Sequence, residues 1–225
     1  MTLKSLYQYF GQHSESRWIM KPQNGMLLYQ FITRHPIKRV LELGTGVGMS
    51  ASLIALAMKD KGETDYHVDT VEQYDKCIDL ANKLIPDEFK KNITIHKSEV
   101  EVWQTEKIPY QNFMNFKTVP EGEFQLVITD GPGPFLQGDY FIELPNGNAM
   151  KMLFEDKLKP GTFVIHDGRL EALRLLERYF AENFYLIEPE NPGFNVLERK
   201  NNSVHYEDAK LKEITRMGYF KDAKL

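Results

Sequence analysis

The stretch Val40-Leu41-Glu42-Leu43-Gly44-Thr45-Gly46-Val47-Gly48-Met49-Ser50 constrains this chain more than any other. Residues 37–43 read as a buried strand, with Val40, Leu41 and Leu43 apolar, and residues 50–59 read as a helix rich in Ala, Leu and Met. Three glycines at alternate positions fill the turn between them. Such a turn brings backbone N–H groups and a helix N-terminus close to a ligand with no side chain in the way. A purely structural strand-to-helix turn is the alternative. The spacing narrows the choice of ligand. A dinucleotide fingerprint, G-x-G-x-x-G, would need its third glycine at position 49, where this chain has Met49. Here the glycines stand at 44, 46 and 48, with an acid, Glu42, two residues before the first.

The elements around this turn follow in a regular order. Before it, a short helix over residues 3–10 and a second helix, from near Pro22 or Gly25 to Arg34, precede His35-Pro36. Met26, Leu27, Phe31 and Ile32 are expected on the buried side of the second helix. After the turn, residues 66–71 form a second strand ending in Glu72, an acid expected at the rim of the pocket. A helix over 75–85 turns Cys77, Ile78, Ala81 and Leu84 inward, so Cys77 reads as core and not as a nucleophile. Pro86 ends that helix. Residues 92–96 make a short third strand, followed by Ser98. Residues 101–123 are longer than a crossover needs, and Trp103, Tyr110, Phe113 and Phe116 show no helical or strand spacing. The segment reads as an irregular loop packed onto the sheet, with a roof over a ligand as the second choice.

Residues 124–129 form a fourth strand that reaches Asp130, and the run 131–138, rich in Gly and Pro, makes a shaped, non-helical loop. In open α/β sheets ligands bind beyond the carboxyl ends of the strands, so Asp130 faces the pocket. A helix over 148–158 and a Lys159-Pro160-Gly161 turn lead into a fifth strand, 162–166, ending His166-Asp167-Gly168-Arg169. Two neighbouring strands thus deliver aspartates to one edge. Asp130 and Asp167 can hold a divalent cation through oxygen ligands, or divide base and orienting roles between them. A last core helix over 170–182 precedes a hairpin of 183–188 and 194–199. The domain reading is a helical cap segment over 1–36, a core domain over 37–200 and a polar tail over 201–225.

Composition excludes several classes. A formal net charge of −4 gives no support for a nucleic-acid partner. No apolar run approaches membrane-spanning length, and the N-terminus MTLKSLYQYF lacks the apolar core of a signal peptide. One cysteine excludes an internal disulfide and a Cys-based zinc cluster. The default expectation is a cytoplasmic protein; a homodimer stays open.

The pattern Glu42-x-Gly44-x-Gly46-x-Gly48, with Glu72 at the end of the next strand, resembles the first motifs of class I S-adenosylmethionine-dependent methyltransferases. The segment Met20-Lys21-Pro22-Gln23-Asn24-Gly25-Met26-Leu27-Leu28 is similar to the lead-in of the catechol O-methyltransferase-like members. The resemblance implies a Rossmann-like α/β fold: a doubly wound, seven-stranded, mostly parallel sheet closed by an antiparallel C-terminal hairpin. It implies S-adenosylmethionine as cofactor, bound by Glu42, Gly44, Thr45, Gly46, Gly48, Glu72, Gln73, Ser98 and Asp130, with the Glu72 carboxylate accepting from the ribose hydroxyls. It implies methyl transfer to an oxygen, or a nitrogen, of a small molecule, with Asp130, His166 and Asp167 as catalytic residues. In that family the fifth strand ends Asp-Asn and a lysine follows the fourth-strand acid. Here position 168 is Gly, and Gly131-Pro132-Gly133 carries no lysine. These departures favour an enzyme with no strict need for magnesium or calcium. The rival readings are an NAD-dependent oxidoreductase and a non-catalytic protein that binds an adenosyl ligand.

Overall fold

The computed structural model describes residues 1–13, 19–106, 108–137, 140–142, 144–166, 184–191 and 194–200 of the chain. Its centre is strand β1 (Arg39–Leu43), whose residues 40–43 are all buried. Such a run is what a strand covered on both faces requires. It pairs in parallel with β2 (His67–Glu72) on one side and with β6 (Leu126–Thr129) on the other. Parallel pairing extends outward to β3 (Ile93–Lys97) and to β9 (Phe163–His166). Beyond β9 the sheet is finished by β11 (Phe194–Arg199) and β10 (Phe184–Asn191), joined as an antiparallel pair. The strand order is β10-β11-β9-β6-β1-β2-β3. This is the doubly wound, mostly parallel α/β sheet closed by an antiparallel hairpin that the element order implied.

Alternation along β1 divides the core into two layers. Val40 packs with helices α1 (Leu3–Gly11), α2 (Pro22–Arg34) and α3 (Met49–Asp60), whereas Leu41 and Leu43 join Phe113, Phe116, Met150 and Leu153 on the opposite face. Helix α3 is buried along Met49–Met58, which fits its lack of charged residues over that stretch. Pro22 starts α2 at a position where the missing N–H has no intrahelical partner to lose. The buried stripe of α2 is Gly25, Leu28, Phe31 and Ile32, not the expected set with Met26, which is 46% exposed. Gly25 takes the inward position because the Tyr7 hydroxyl of α1 would lie 1.8 Å from any Cβ there.

Three further expectations are corrected. Residues 101–123 are no irregular loop: β4 (Val100–Thr105) and β5 (Ile108–Phe116) form an antiparallel hairpin in the crossover between β3 and β6. Trp103 fixes it by packing against Phe113 and Phe154 at centroid distances of 5.7 and 5.9 Å. The loop after Asp130 contains a second hairpin, β7 (Phe135–Gln137) with β8 (Tyr140–Ile142). Helix α6 (Asn148–Phe154) stops short of residue 158, because Asp156 adopts a left-handed φ of 55° just beyond it. Between β2 and β3, helix α4 (Asp75–Leu84) is followed by the single turn α5 (Asp87–Lys90), with Cys77 half-buried and Ala81 and Leu84 in the core. The expected helix over 170–182 and the tail over 201–225 lie outside the described residues.

Candidate functional site

The site forms where β1, β2 and β6 end together, around the glycine turn. Gly44 N–H donates to the Val71 carbonyl at 2.9 Å, which holds the start of the turn against the end of β2. At Gly44 the backbone has φ 114°, and a Cβ there would lie 2.8 Å from Gly131 N and 2.9 Å from the Asp130 carbonyl carbon. Only glycine fits a position that combines this φ with a backbone-to-backbone approach. Gly48, at φ 82°, caps α3 and leaves no room for a side chain beside Ile85. Gly46 contributes its N–H, which donates to Glu72 Oε2 at 2.9 Å.

Two glutamates flank the turn from below and from the side. Glu42 is 1% exposed and accepts a hydrogen bond from the Thr70 hydroxyl at 2.7 Å. Thr70 spends its only proton on Glu42, so the Thr45 hydroxyl, 2.7 Å away, must donate to Thr70. Thr45 therefore points its side chain into the core and offers only backbone to a ligand. Burial pushes the Glu42 carboxyl up to about 7, opposed by hydrogen bonds from Ser50 and Thr70 and reinforced by the charge of Glu72.

Glu72, expected at a pocket rim, is instead buried in the turn, with 5% of its surface exposed. Its Oε1 accepts from the N–H groups of Gln73 and Tyr74 at 2.8 and 3.0 Å, while Oε2 takes that of Gly46. A carboxylate offers about four acceptor directions, and these three N–H groups take three of them. Next to it, Gln73 bonds both ways with the backbone of one residue, Gly133. Its Oε1 accepts from Gly133 N–H at 3.0 Å and its Nε2 donates to the Gly133 carbonyl at 3.3 Å. The Tyr74 hydroxyl donates to the Pro134 carbonyl. The end of β2 is thus stitched to the loop that follows β6.

Asp130 stands half-buried at the end of β6, its N–H donating to the Leu43 carbonyl at 2.8 Å. Thr129 and His166 are register partners, so the β6 and β9 ends are level and His166, 1% exposed, is one strand away from Asp130. Ser98 is buried too. Its N–H donates to the Glu72 carbonyl at 2.9 Å, but its hydroxyl is committed to the Glu99 carbonyl and to Thr118. Glu42, Gly44, Gly46, Gly48, Glu72, Gln73 and Asp130 therefore form one contiguous cluster. Thr45 and Ser98 adjoin it through backbone, and His166 lies at its border. Asp167 lies outside the described residues. Among the described residues, no three His, Cys, Asp or Glu side chains come together as a metal cluster.

Sequence reasoning missed Asn146 and Asn148, both 2% exposed, whose side-chain amides donate to the Gly131 carbonyl. An Asn-Gly-Asn turn ahead of a helix gives no sign of a partner about fifteen residues upstream; the one available cue was two amides beside a predicted site loop.

Comparison with solved structures then decides the fold. A methyltransferase from Podospora anserina, solved with SAH (S-adenosylhomocysteine) bound, superimposes with a TM-score of 0.58 at 16% identity, covering 88% of each chain. An O-methyltransferase from Streptomyces achromogenes involved in tomaymycin synthesis, solved with S-adenosylmethionine (SAM), gives 0.55 at 14% identity, covering 88% of this chain and 89% of that one. This is the methyltransferase fold. An O-methyltransferase from Bacillus cereus in complex with SAH gives 0.53 at 15% identity, with 87% of each chain covered. No family model matches the sequence, and no curated protein matches it in sequence. On the methyltransferase fold, the cluster built here occupies the carboxyl ends of the parallel strands, where open α/β sheets bind ligands. Among the described residues, no helix is long and apolar enough to cross a membrane.

Proposed function

We propose that this chain is a SAM-dependent methyltransferase acting on an oxygen of a small molecule. The observation that carries the proposal is the junction of Gly44, Gly46 and Glu72: a side-chain-free turn locked to a buried carboxylate, whose remaining acceptor direction we assign to a ribose hydroxyl. The fold it shares with proteins solved with SAM or SAH supports the same reading. The residues fit an adenosyl ligand better than a dinucleotide, since Met49 stands where a pyrophosphate turn needs glycine.

Gly44, Gly46 and Gly48 would give the ligand close access to backbone, Glu72 would hold its ribose, and Gln73 with Ser98 would wall the adenine side. When bound, SAM supplies an electrophilic methyl group on a sulfonium. The protein's own task is to hold the acceptor oxygen in line and to take its proton. Asp130, half-exposed at the end of β6, serves as that base, with His166 beside it as a second acceptor. Asp167 is assigned to orient the acceptor. We place this chemistry in the cytoplasm, and independent of a metal.

Calorimetry with SAH and with NAD tests the cofactor: tight SAH binding with NAD much weaker is expected, and the reverse order overturns the reading. Methyl transfer from labelled SAM to a panel of hydroxylated small molecules then tests the activity, with EDTA expected to leave the rate intact. Loss of rate in EDTA with rescue by magnesium would show a metal enzyme. With turnover established, Asp130→Asn is expected to lower the rate while barely altering SAH affinity.

A further inference from the structure

The Gly131 carbonyl is the meeting point of a closed amide network. The Asn146 Nδ2 donates to it, and Asn148 Nδ2 donates to it at 3.2 Å, so both acceptor directions of this oxygen are filled. The second Asn148 amide proton goes to Asn146 Oδ1 at 2.8 Å, and Asn148 N–H donates to the same oxygen at 3.0 Å. Asn148 Oδ1 in turn accepts from Phe116 N–H, at the end of β5, at 3.0 Å. The backbone repeats the connection: Met114 N–H donates to the Pro145 carbonyl at 2.9 Å, and Gly147 N–H to the Met114 carbonyl at 3.1 Å. Gly131 is pressed on its other side against the glycine turn, where a Cβ added to it would lie 2.9 Å from Gly44 Cα.

We infer that Asn146 and Asn148 are positioning residues for the cofactor turn. Their amides clamp Gly131 against Gly44, and the β4–β5 hairpin is the anchor from which the clamp acts. The inference rests on the proposed function, because it assigns the clamp to cofactor binding. Neither asparagine contacts the ligand in this scheme. Each acts through Gly131, whose peptide follows Asp130 and borders the turn. This also gives a role to the hairpin that occupies the crossover between β3 and β6, since Met114 and Phe116 of β5 bond through their backbone to the 145–148 segment.

The test uses the whole chain and SAH as the probe. Asn146→Asp keeps the oxygen that accepts from Asn148; while ionised, its second oxygen cannot donate to Gly131 and repels that carbonyl instead. Relative to wild type, SAH affinity should fall about tenfold near pH 8, on the scale of one buried hydrogen bond. The deficit should shrink as pH falls, because burial raises the pKa of the new carboxyl and its protonated form donates again. Every other carboxyl of the site is common to the two proteins, so the ratio of the two affinities isolates the new group. Asn148→Ala, measured well below its melting temperature, should also weaken SAH by about tenfold. An affinity within about twofold of wild type in both folded variants, or a deficit that ignores pH, overturns the inference. If wild type binds no SAH, the proposed function falls, and the clamp is then read from amide hydrogen exchange. Faster exchange at the Gly44 and Asp130 N–H groups in Asn148→Ala supports the clamp, and unchanged exchange overturns it.

Discussion

The two strand ends that make this site are shaped by opposite means. The β1 end is shaped by what is missing: Gly44 and Gly48 leave out side chains so that the chain can turn and touch Gly131 and Ile85. The β6 end is shaped by what is added: two hairpins, β4–β5 and β7–β8, and two buried asparagines that take hold of one carbonyl. The first solution is local, written into a dozen consecutive residues. The second gathers residues 114–116, 131 and 145–148 from across the chain. A local solution fails wherever a Cβ is introduced, whereas a distributed one fails by degrees, one hydrogen bond at a time.

The sharpest way to break the contrast is at Gly44. Gly44→Ala places a Cβ within 2.9 Å of two backbone atoms, at a φ of 114° that L-residues avoid. Backbone strain and overpacking together should lower stability by about 3 kcal/mol and abolish SAH binding. Urea unfolding and calorimetry measure the two effects. Stability and affinity close to wild type would mean that the two strand ends are not in rigid contact.

A smaller effect is expected at Glu72, which serves both ends of the comparison. Glu72→Ala removes the acceptor of three backbone N–H groups and of the ribose hydroxyl assigned to it. SAH affinity should weaken by about 1–3 kcal/mol, and stability should fall by a similar amount. The loss of stability follows from where the structure places the carboxylate, in the turn and not at a rim. Weakened binding with unchanged melting would return Glu72 to the rim and make its bonds to the turn dispensable.

The same contrast explains what could be read from the sequence. The order of strands and helices, the glycine turn, Glu72 and Asp130 were legible because each rests on a short-range rule: a continuous apolar run, a breaker, an acid at a strand end. The β4–β5 hairpin was not, because residues 113–116 are buried without interruption and so erase the period-two signal that marks a strand. Met26 was misplaced because the inward position of α2 belongs to Gly25, and only the docking of Tyr7 reveals that. Asn146 and Asn148 were invisible for a related reason. An asparagine ahead of a helix serves turns, caps and distant carbonyls equally well, and the choice among them is made by tertiary packing. Residues whose partners lie within a few positions announce themselves; those whose partners lie far along the chain do not.

The smallest effect on SAH binding is expected at Glu42, where the change is one of stability and its sign can be worked out. The folded protein holds the Glu42 proton up to about pH 7, whereas the unfolded chain releases it near the ordinary value of 4.5. Between these two values the folded state binds the extra proton, so stability falls as pH rises through that window and is flat above it. Glu42→Gln keeps an oxygen for the Thr70 hydroxyl and presents an amide beside Ser50, with no charge to bury. The variant should therefore match wild type near pH 4.5 and melt about 10 °C higher near pH 8, as a carboxyl raised from 4.5 to about 7 implies in a chain of this size. Differential scanning calorimetry across this range reads the difference. A wild-type pH slope that survives in Glu42→Gln would assign the titration to another group. A variant less stable than wild type at pH 8 would mean that the ionised carboxylate is satisfied in the turn, and that the β1 end, like the β6 end, depends on a polar side chain for its shape.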